Sequence, residues 1–270
     1  MTSTKSLTSI AEFYKTDKYE HGYTKVYEKY FDSLRDEKLK VLEIGIADGK
    51  SLLTWSDYFH NSTIVGVDIH EIDLKEKNLD RENIKVHQGS QSDDKFINEI
   101  VKEYGNFDIV IDDGSHLRKD VIKSFHLLFP YLNNNGLYVV EDMQTSYNHF
   151  FGGNPFDLKY SNSHMNFFKH LSDSLNHQEI ANPFYIKKKY DGKITNISFY
   201  HNIVFLRKGK NNQLSREVIN HSYENMKFKE KTNRSGNHFR YFIKYRIFYK
   251  FFTLILYVYN LLKRILLFRF

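Results

Sequence analysis

The chain has 270 residues, a net charge of +6 and no cysteine, which excludes disulfides and cysteine-ligated zinc and suits a reducing compartment. No uninterrupted apolar stretch reaches the ~18 residues of a membrane-spanning helix, and the opening MTSTKSLTSI lacks the apolar core of a signal peptide. The charge is uneven: from Lys208 onward, 14 Lys and Arg face three Glu, so residues 1–207 are net acidic and the basic balance belongs to the tail.

Residues 1–35 read as mostly helical. Tyr23, Tyr27 and Tyr30 share one helical face, a pattern expected to pack onto a domain, while the polar cluster Thr16, Asp17, Lys18 and His21 is read either as a cap over a pocket or as a solvated turn. KVLEIGIADG, Lys40 to Gly49, then reads as a buried strand followed by a turn bracketed by Gly45 and Gly49, leading into a helix over 51–59. Glycines here let backbone approach a ligand beside a helix N-terminus. TIVGVD, Thr63 to Asp68, is a second strand ending in an acid 23 residues after Gly45. In nucleotide-binding α/β units such an acid accepts hydrogen bonds from ribose hydroxyls, and the alternative is a helix N-cap. A third strand around Ile84 and Val86 leads into a polar loop. There Gln91 and Ser92 are candidates for an adenine edge, and Asp93 is a candidate N-cap for a helix over 94–104.

The most informative stretch is Phe107 to Tyr147. Val110 and Ile111 run into Asp112 and Asp113, and Val139 and Val140 run into Glu141 and Asp142. Between them Val121, Ile122, Phe125, Leu128 and Phe129 recur at helical spacing. A β-α-β unit brings the C-terminal ends of its strands to one edge, so four carboxylates and His116 are expected to converge where open α/β sheets bind ligands. Such a cluster needs a cation or positive partners, and it is read as a divalent-metal and catalytic site. The alternation up to residue 141 is β-α-β-α-β-α-β-α-β, a doubly wound fold. A helical stretch near 163–174 and two closing strands, with Asn202 at a tight turn, complete a domain over 37–209 behind a helical cap over 1–36.

With these motifs laid out, the chain resembles class I S-adenosylmethionine-dependent methyltransferases, and more narrowly the macrocin and mycinamicin type of sugar O-methyltransferase with the related cephalosporin-hydroxylase-like proteins. The resemblance covers roughly Phe13 to Gly209 and rests on TDKYEHGYTKVYEKYF, VLEIGIADGKS, VGVD, GSQSD, IDDGSH and EDMQTSY. It implies a Rossmann-like sheet, S-adenosylmethionine, and magnesium or another divalent cation held by Asp113, Glu141 and Asp142. It also implies His116 as general base and cofactor contacts at Glu43, Gly45 and Asp68. Gly49, Gln91, Ser92 and Asp112 join that cofactor set as expected neighbours, with Asp112 either orienting its loop or touching the cofactor. Gln144 and Tyr147 are candidates for the sugar pocket. Ala47 in the glycine motif and Ser90, where related sequences often carry Asp, depart from the pattern.

Residues 210–236 read as a polar linker. In 237–270 aromatic and aliphatic residues alternate with Arg and Lys, and no acid follows Glu230. The uncharged run Phe251–Leu262 is 12 residues long, short of an upright span. The composition fits a helix lying on an anionic membrane surface, with an oligomerisation helix or packing on the core as alternatives. Nucleic acid is not expected as a partner, because aliphatic surface gains nothing from phosphates. The resulting expectation is a cytoplasmic enzyme, peripheral to the inner face of the cell membrane, that methylates a sugar-containing acceptor. A non-catalytic binding module and a nicotinamide-dependent oxidoreductase are the competing classes, and oligomeric state is open.

Overall fold

The computed structural model describes residues 5–159, 163–180 and 184–212, together with 254, 255 and 258. Three short helices open the chain: α1 (Leu7–Tyr14), α2 (Asp17–Glu20) and α3 (Thr24–Phe31). Ser6 caps α1 by accepting the Ser9 amide, and Lys15, in left-handed conformation, ends it. The sheet then forms from β1 (Lys40–Ile44), β2 (Thr63–Asp68), β3 (Ile84–Gln88), β4 (Phe107–Asp112), β5 (Leu132–Val140), β6 (Ile194–Tyr200) and β7 (Ile203–Lys208). Its order is β3-β2-β1-β4-β5-β7-β6. β1 to β5 are parallel, and β7 runs antiparallel to both β5 and β6. The predicted closing hairpin is therefore present, and Asn202 takes a positive φ at its turn.

Helices cover both faces, which is why the central strands are continuous apolar runs rather than alternating ones. Val41, Ile109, Ile111, Val139 and Phe205 pack with Tyr27, Phe31, Trp55 and Phe59, the last two from α4 (Lys50–Tyr58) and the residue after it. Leu42, Val65, Val110, Tyr138 and Val140 pack on the other face. There they meet α5 (Asp94–Tyr104), α6 (Arg118–Leu128) and α7 (His164–His170) through Ile97, Phe125 and Phe168. Asp93 caps α5 as expected, accepting the amides of Lys95 and Phe96. A short helix α8 (Ser172–Leu175) follows α7.

One predicted crossover helix is absent. The connection between β2 and β3 is built of turns: Asp73 accepts the amides of Lys75 and Glu76, and Asn78 then turns left-handed. That conformation ends the helical turn, so Leu79 folds back and buries itself against Gly49.

The cap helices and the sheet fall in one compact unit, Met1–Leu175 with Tyr190–Asn211. A second unit comprises Asn176–Lys189 and Asn212–Phe270. Its described residues include a 3-10 turn, His177–Glu179, and the helical, solvent-exposed Leu254, Ile255 and Val258. Beyond Asn212 the expected linker, and nearly all of the expected tail, lie outside the described residues. Among the described residues, no helix is long and apolar enough to cross a membrane.

Candidate active site

Register builds the site. Ile44 of β1 pairs with Asp112 of β4, and Asp112 pairs with Val140 of β5. The next residues, Gly45, Asp113 and Glu141, therefore leave the sheet side by side. The Asp113 amide donates to the Ile44 carbonyl at 2.9 Å, and the Glu141 amide to the Asp112 carbonyl at 3.0 Å. A cavity of about 810 Å³ opens at this edge, walled by the turn after β1, by Asp68, Ser90 and Gln91, by Asp113 to His116, by Asp142, and by Lys15 to Lys18 of the cap.

The two acids at the end of β4 diverge because successive side chains of a strand point to opposite faces. Asp112 is buried beneath the cavity, where it accepts from Gln91 Nε2 at 2.9 Å and from the Ser124 and Tyr138 hydroxyls. It is absent from the cavity wall. Gln91 in turn accepts the Ser115 amide through its Oε1 at 2.7 Å. Gln91 does line the cavity, but both ends of its amide are engaged by protein.

Burial pushes Asp112 up to about 6, with Ser124, the Gly114 amide, His116 and Gln91 pulling the other way. A folded value above the ordinary one means that this acid's contribution to stability is present at acid pH and is lost as pH rises from about 4 through 6. Asp112→Asn should therefore shift the unfolding free energy, relative to wild type, by about 2 kcal/mol more favourably at pH 8 than at pH 4. Paired denaturant titrations at the two pH values measure that difference directly.

Asp113, His116 and Asp142 come together: one donor atom of each lies within 4.8 Å of the others. His116 has φ 55 and Asp142 φ 52, left-handed positions that aim both side chains off their strand ends, and His116 Nε2 is 3.6 Å from Asp142 Oδ2. Burial would raise Asp142, but hydrogen bonds from Tyr23 and Gln144 and the nearby His116 outweigh it and hold this carboxyl below its usual range.

Glu141 does not join that trio. Its Oε1 accepts from Lys18 Nζ at 2.8 Å and from the Tyr27 hydroxyl at 2.5 Å, and burial followed by Asp113 pushes its pKa up. Lys18 also contacts Asp113 Oδ2 at 2.5 Å and Glu43 Oε1 at 3.2 Å, with its side chain only 2 % exposed. Burial opposes the ammonium's charge, but Asp113, Glu141 and Glu43 together outweigh it and hold the lysine well above its ordinary value.

The remaining expected contacts divide. Gly45 and Asp68 line the cavity, and Asp68 also fastens the glycine turn by accepting the Ile46, Ala47 and His70 amides at 2.9, 3.1 and 2.9 Å. Glu43, Gly49 and Ser92 are not on the wall. Glu43 is buried against Lys18 and Ser51, Gly49 packs on Leu79, and Ser92 pairs with Ser90. Gln144 and Tyr147 lie on a 3-10 helix, Met143–Tyr147, just past Asp142, with Tyr147 exposed. Sequence reasoning missed Lys18 as a partner of the carboxylates and read Tyr23 and Tyr27 as packing. Both phenols do pack, but they also donate to Asp142 and Glu141.

Residues 42–143, which hold the glycine turn, Asp68 and Asp113 to His116, match a family model described as a methyltransferase domain. This segment is a methyltransferase domain. Around it the chain is 36% identical over 217 residues to the mycinamicin VI 2''-O-methyltransferase of Micromonospora griseorubida, covering 77% of this chain and 53% of that one. It is 37% identical over 201 residues to the demethylmacrocin O-methyltransferase of Streptomyces fradiae, covering 72% and 50%. A solved structure of the MycE methyltransferase of the mycinamycin pathway, in complex with Mg, SAH and mycinamycin VI, superposes with a TM-score of 0.72 at 35% identity, covering 78% of this chain and 55% of that one. The chain thus spans about half the length of the curated relatives it matches. The methyltransferase domain places its carboxylate edge and its glycine turn on one cavity.

Proposed function

We propose that the chain transfers a methyl group from S-adenosylmethionine to a hydroxyl of a sugar-containing acceptor, assisted by a divalent cation. The observation that carries this is the meeting of Asp113, His116 and Asp142 in the wall of the cavity that Gly45 and Asp68 also line. A volume near 810 Å³ lies within the usual range for small-molecule sites. The relatives named for sugar O-methylation, and the MycE complex with Mg and SAH, support the same choice of substrate and cofactors.

The donor chemistry fits magnesium. Glu43, Asp113 and Glu141 share one ammonium, Asp142 stands beside them against His116 and Tyr23, and hard carboxylate oxygens suit that ion. Asp113 and Asp142 would hold it, with Glu141 behind them. Bound there, it would supply Lewis acidity toward a sugar hydroxyl. His116 accepts the hydroxyl proton as the oxygen–methyl bond forms and the sulfur–methyl bond breaks. Asp142, 3.6 Å from the imidazole, orients it, while Gln144 and Tyr147 border the acceptor.

The acceptor is a surface-polysaccharide precursor or a glycosylated metabolite. We read 237–270 as attaching the protein peripherally to an anionic membrane on the strength of its basic, aromatic composition. Calorimetric titration of S-adenosylhomocysteine, with and without MgCl2, tests the reading on wild type and Asp113→Ala/Glu141→Ala. Micromolar binding that survives the double substitution supports a cofactor pocket separate from the carboxylates. No binding under any condition removes the methyltransferase reading.

A further inference from the structure

Three donors of the described cap reach carboxylates at the sheet edge. Lys18 reaches Glu43 on β1, Asp113 after β4 and Glu141 after β5, Tyr27 adds a second donor to Glu141, and Tyr23 donates to Asp142. A buried structural ion pair is neutral when one cation meets one anion. Here one buried cation meets three acids, so Lys18 gathers the carboxylates without cancelling them. It is also not a solvated lysine that happens to lean inward, since its side chain is 2 % exposed and reaches ligands 25, 95 and 123 residues away in sequence. Lys18 engages one named oxygen of Asp113, Oδ2, while an oxygen of Asp113 and one of Asp142 stand within 4.8 Å of the His116 ring nitrogen on the cavity side.

We infer that Lys18 is a positioning residue, a resident cation that assembles Asp113 and Glu141 before any divalent ion arrives and that holds down the affinity of the ion that follows. The inference rests on the metal-assisted reading above and assigns within it a residue whose ammonium is taken up by carboxylates. Two consequences follow. With Lys18 in place the site is built without metal, so the metal-free protein folds. Without Lys18 the same carboxylates repel one another, and only a divalent ion can take its place. Removing a unit positive charge beside a doubly charged ion should tighten binding of that ion by at least about tenfold, even at the dielectric constant of water.

The test is Lys18→Met, which keeps the length of the stem and removes the charge. Calorimetry with MgCl2 alone should show binding at least about tenfold tighter than in wild type. The variant's melting temperature should fall in metal-free buffer and recover with millimolar MgCl2, but not with NaCl at equal ionic strength. Lys18→Met/Glu43→Gln restores the net charge of the cluster and should return the magnesium affinity toward the wild-type value. A merely structural lysine would lower the melting temperature equally with and without magnesium, and that result overturns the inference. So does an unchanged or weaker affinity in Lys18→Met, or a variant that fails to fold even when refolded with MgCl2. If wild type binds magnesium and the variant binds it no better, this inference alone fails. If neither protein takes up magnesium, the metal reading itself fails with it.

Discussion

Replacing His116 by alanine is expected to lower turnover by about 10²–10⁴-fold while leaving S-adenosylhomocysteine affinity near the wild-type value. The imidazole sits at the cavity wall with Nε2 3.6 Å from Asp142 Oδ2 and with its backbone in left-handed conformation, so geometry rather than chance aims it across the carboxylate edge. A sugar hydroxyl is almost wholly protonated near neutral pH, and a positioned base removes that proton as the new bond forms. Methylated product measured by mass spectrometry against a glycosylated acceptor reports turnover, and calorimetry reports the cofactor side. If turnover falls less than about tenfold, His116 is not the base. If cofactor affinity collapses together with turnover, His116 is instead holding the wall of the cavity.

Much of this site was legible before the fold was known, for one physical reason. Strands buried on both faces are continuous apolar runs, so their ends are marked by the first charge, and parallel pairing puts those charges on one edge. Asp112 and Asp113, Glu141 and Asp142, and the glycine turn all fell into place that way. Which acid faces the cavity was less plain. Residue type does not separate Asp112 from Asp113, and only the pleat, with the Ser124, Gln91 and Tyr138 partners that β4 meets below the sheet, decides it. Lys18 left no local signal at all. A lysine in a short polar helix reads as solvated, and nothing in the spacing says that its ammonium will meet residues 95 and 123 positions away. The available clue was electrostatic: four clustered acids require positive partners, and Lys18 lies in the polar cluster for which a cap over a pocket was one of two readings. The absent helix between β2 and β3 has a similar cause. Its apolar residues are too few to hold a helix on the sheet, and Leu79 is spent covering Gly49.

Gly45 is the position where a single methyl group should do the most damage to the fold and the site together. Its φ of 80° lies where residues with a side chain are rarely found, and a Cβ there would stand 2.1 Å from the Asp113 carbonyl oxygen and 2.7 Å from Gly114 Cα. Both are backbone atoms, so no rotamer change can relieve the contact. The β1 turn and the β4 turn would have to separate, and with them the Gly45 amide's bond to the Val67 carbonyl and the Asp113 amide's bond to Ile44. Gly45→Ala should therefore cost at least about 3 kcal/mol of unfolding free energy. It should also weaken S-adenosylhomocysteine binding, because Gly45 lines the cavity and Asp113 moves with it. Gly49→Ala is the control. It shares a positive φ of 79°, but its Cβ would meet the flexible end of the Leu79 side chain away from the cavity wall. That variant should lose stability while retaining cofactor affinity in whatever fraction remains folded. Chemical denaturation and calorimetry on the two variants separate the cases: equal loss of cofactor affinity in both would mean that general loosening of the turn, rather than the approach of β1 to β4 at Gly45, sets the pocket.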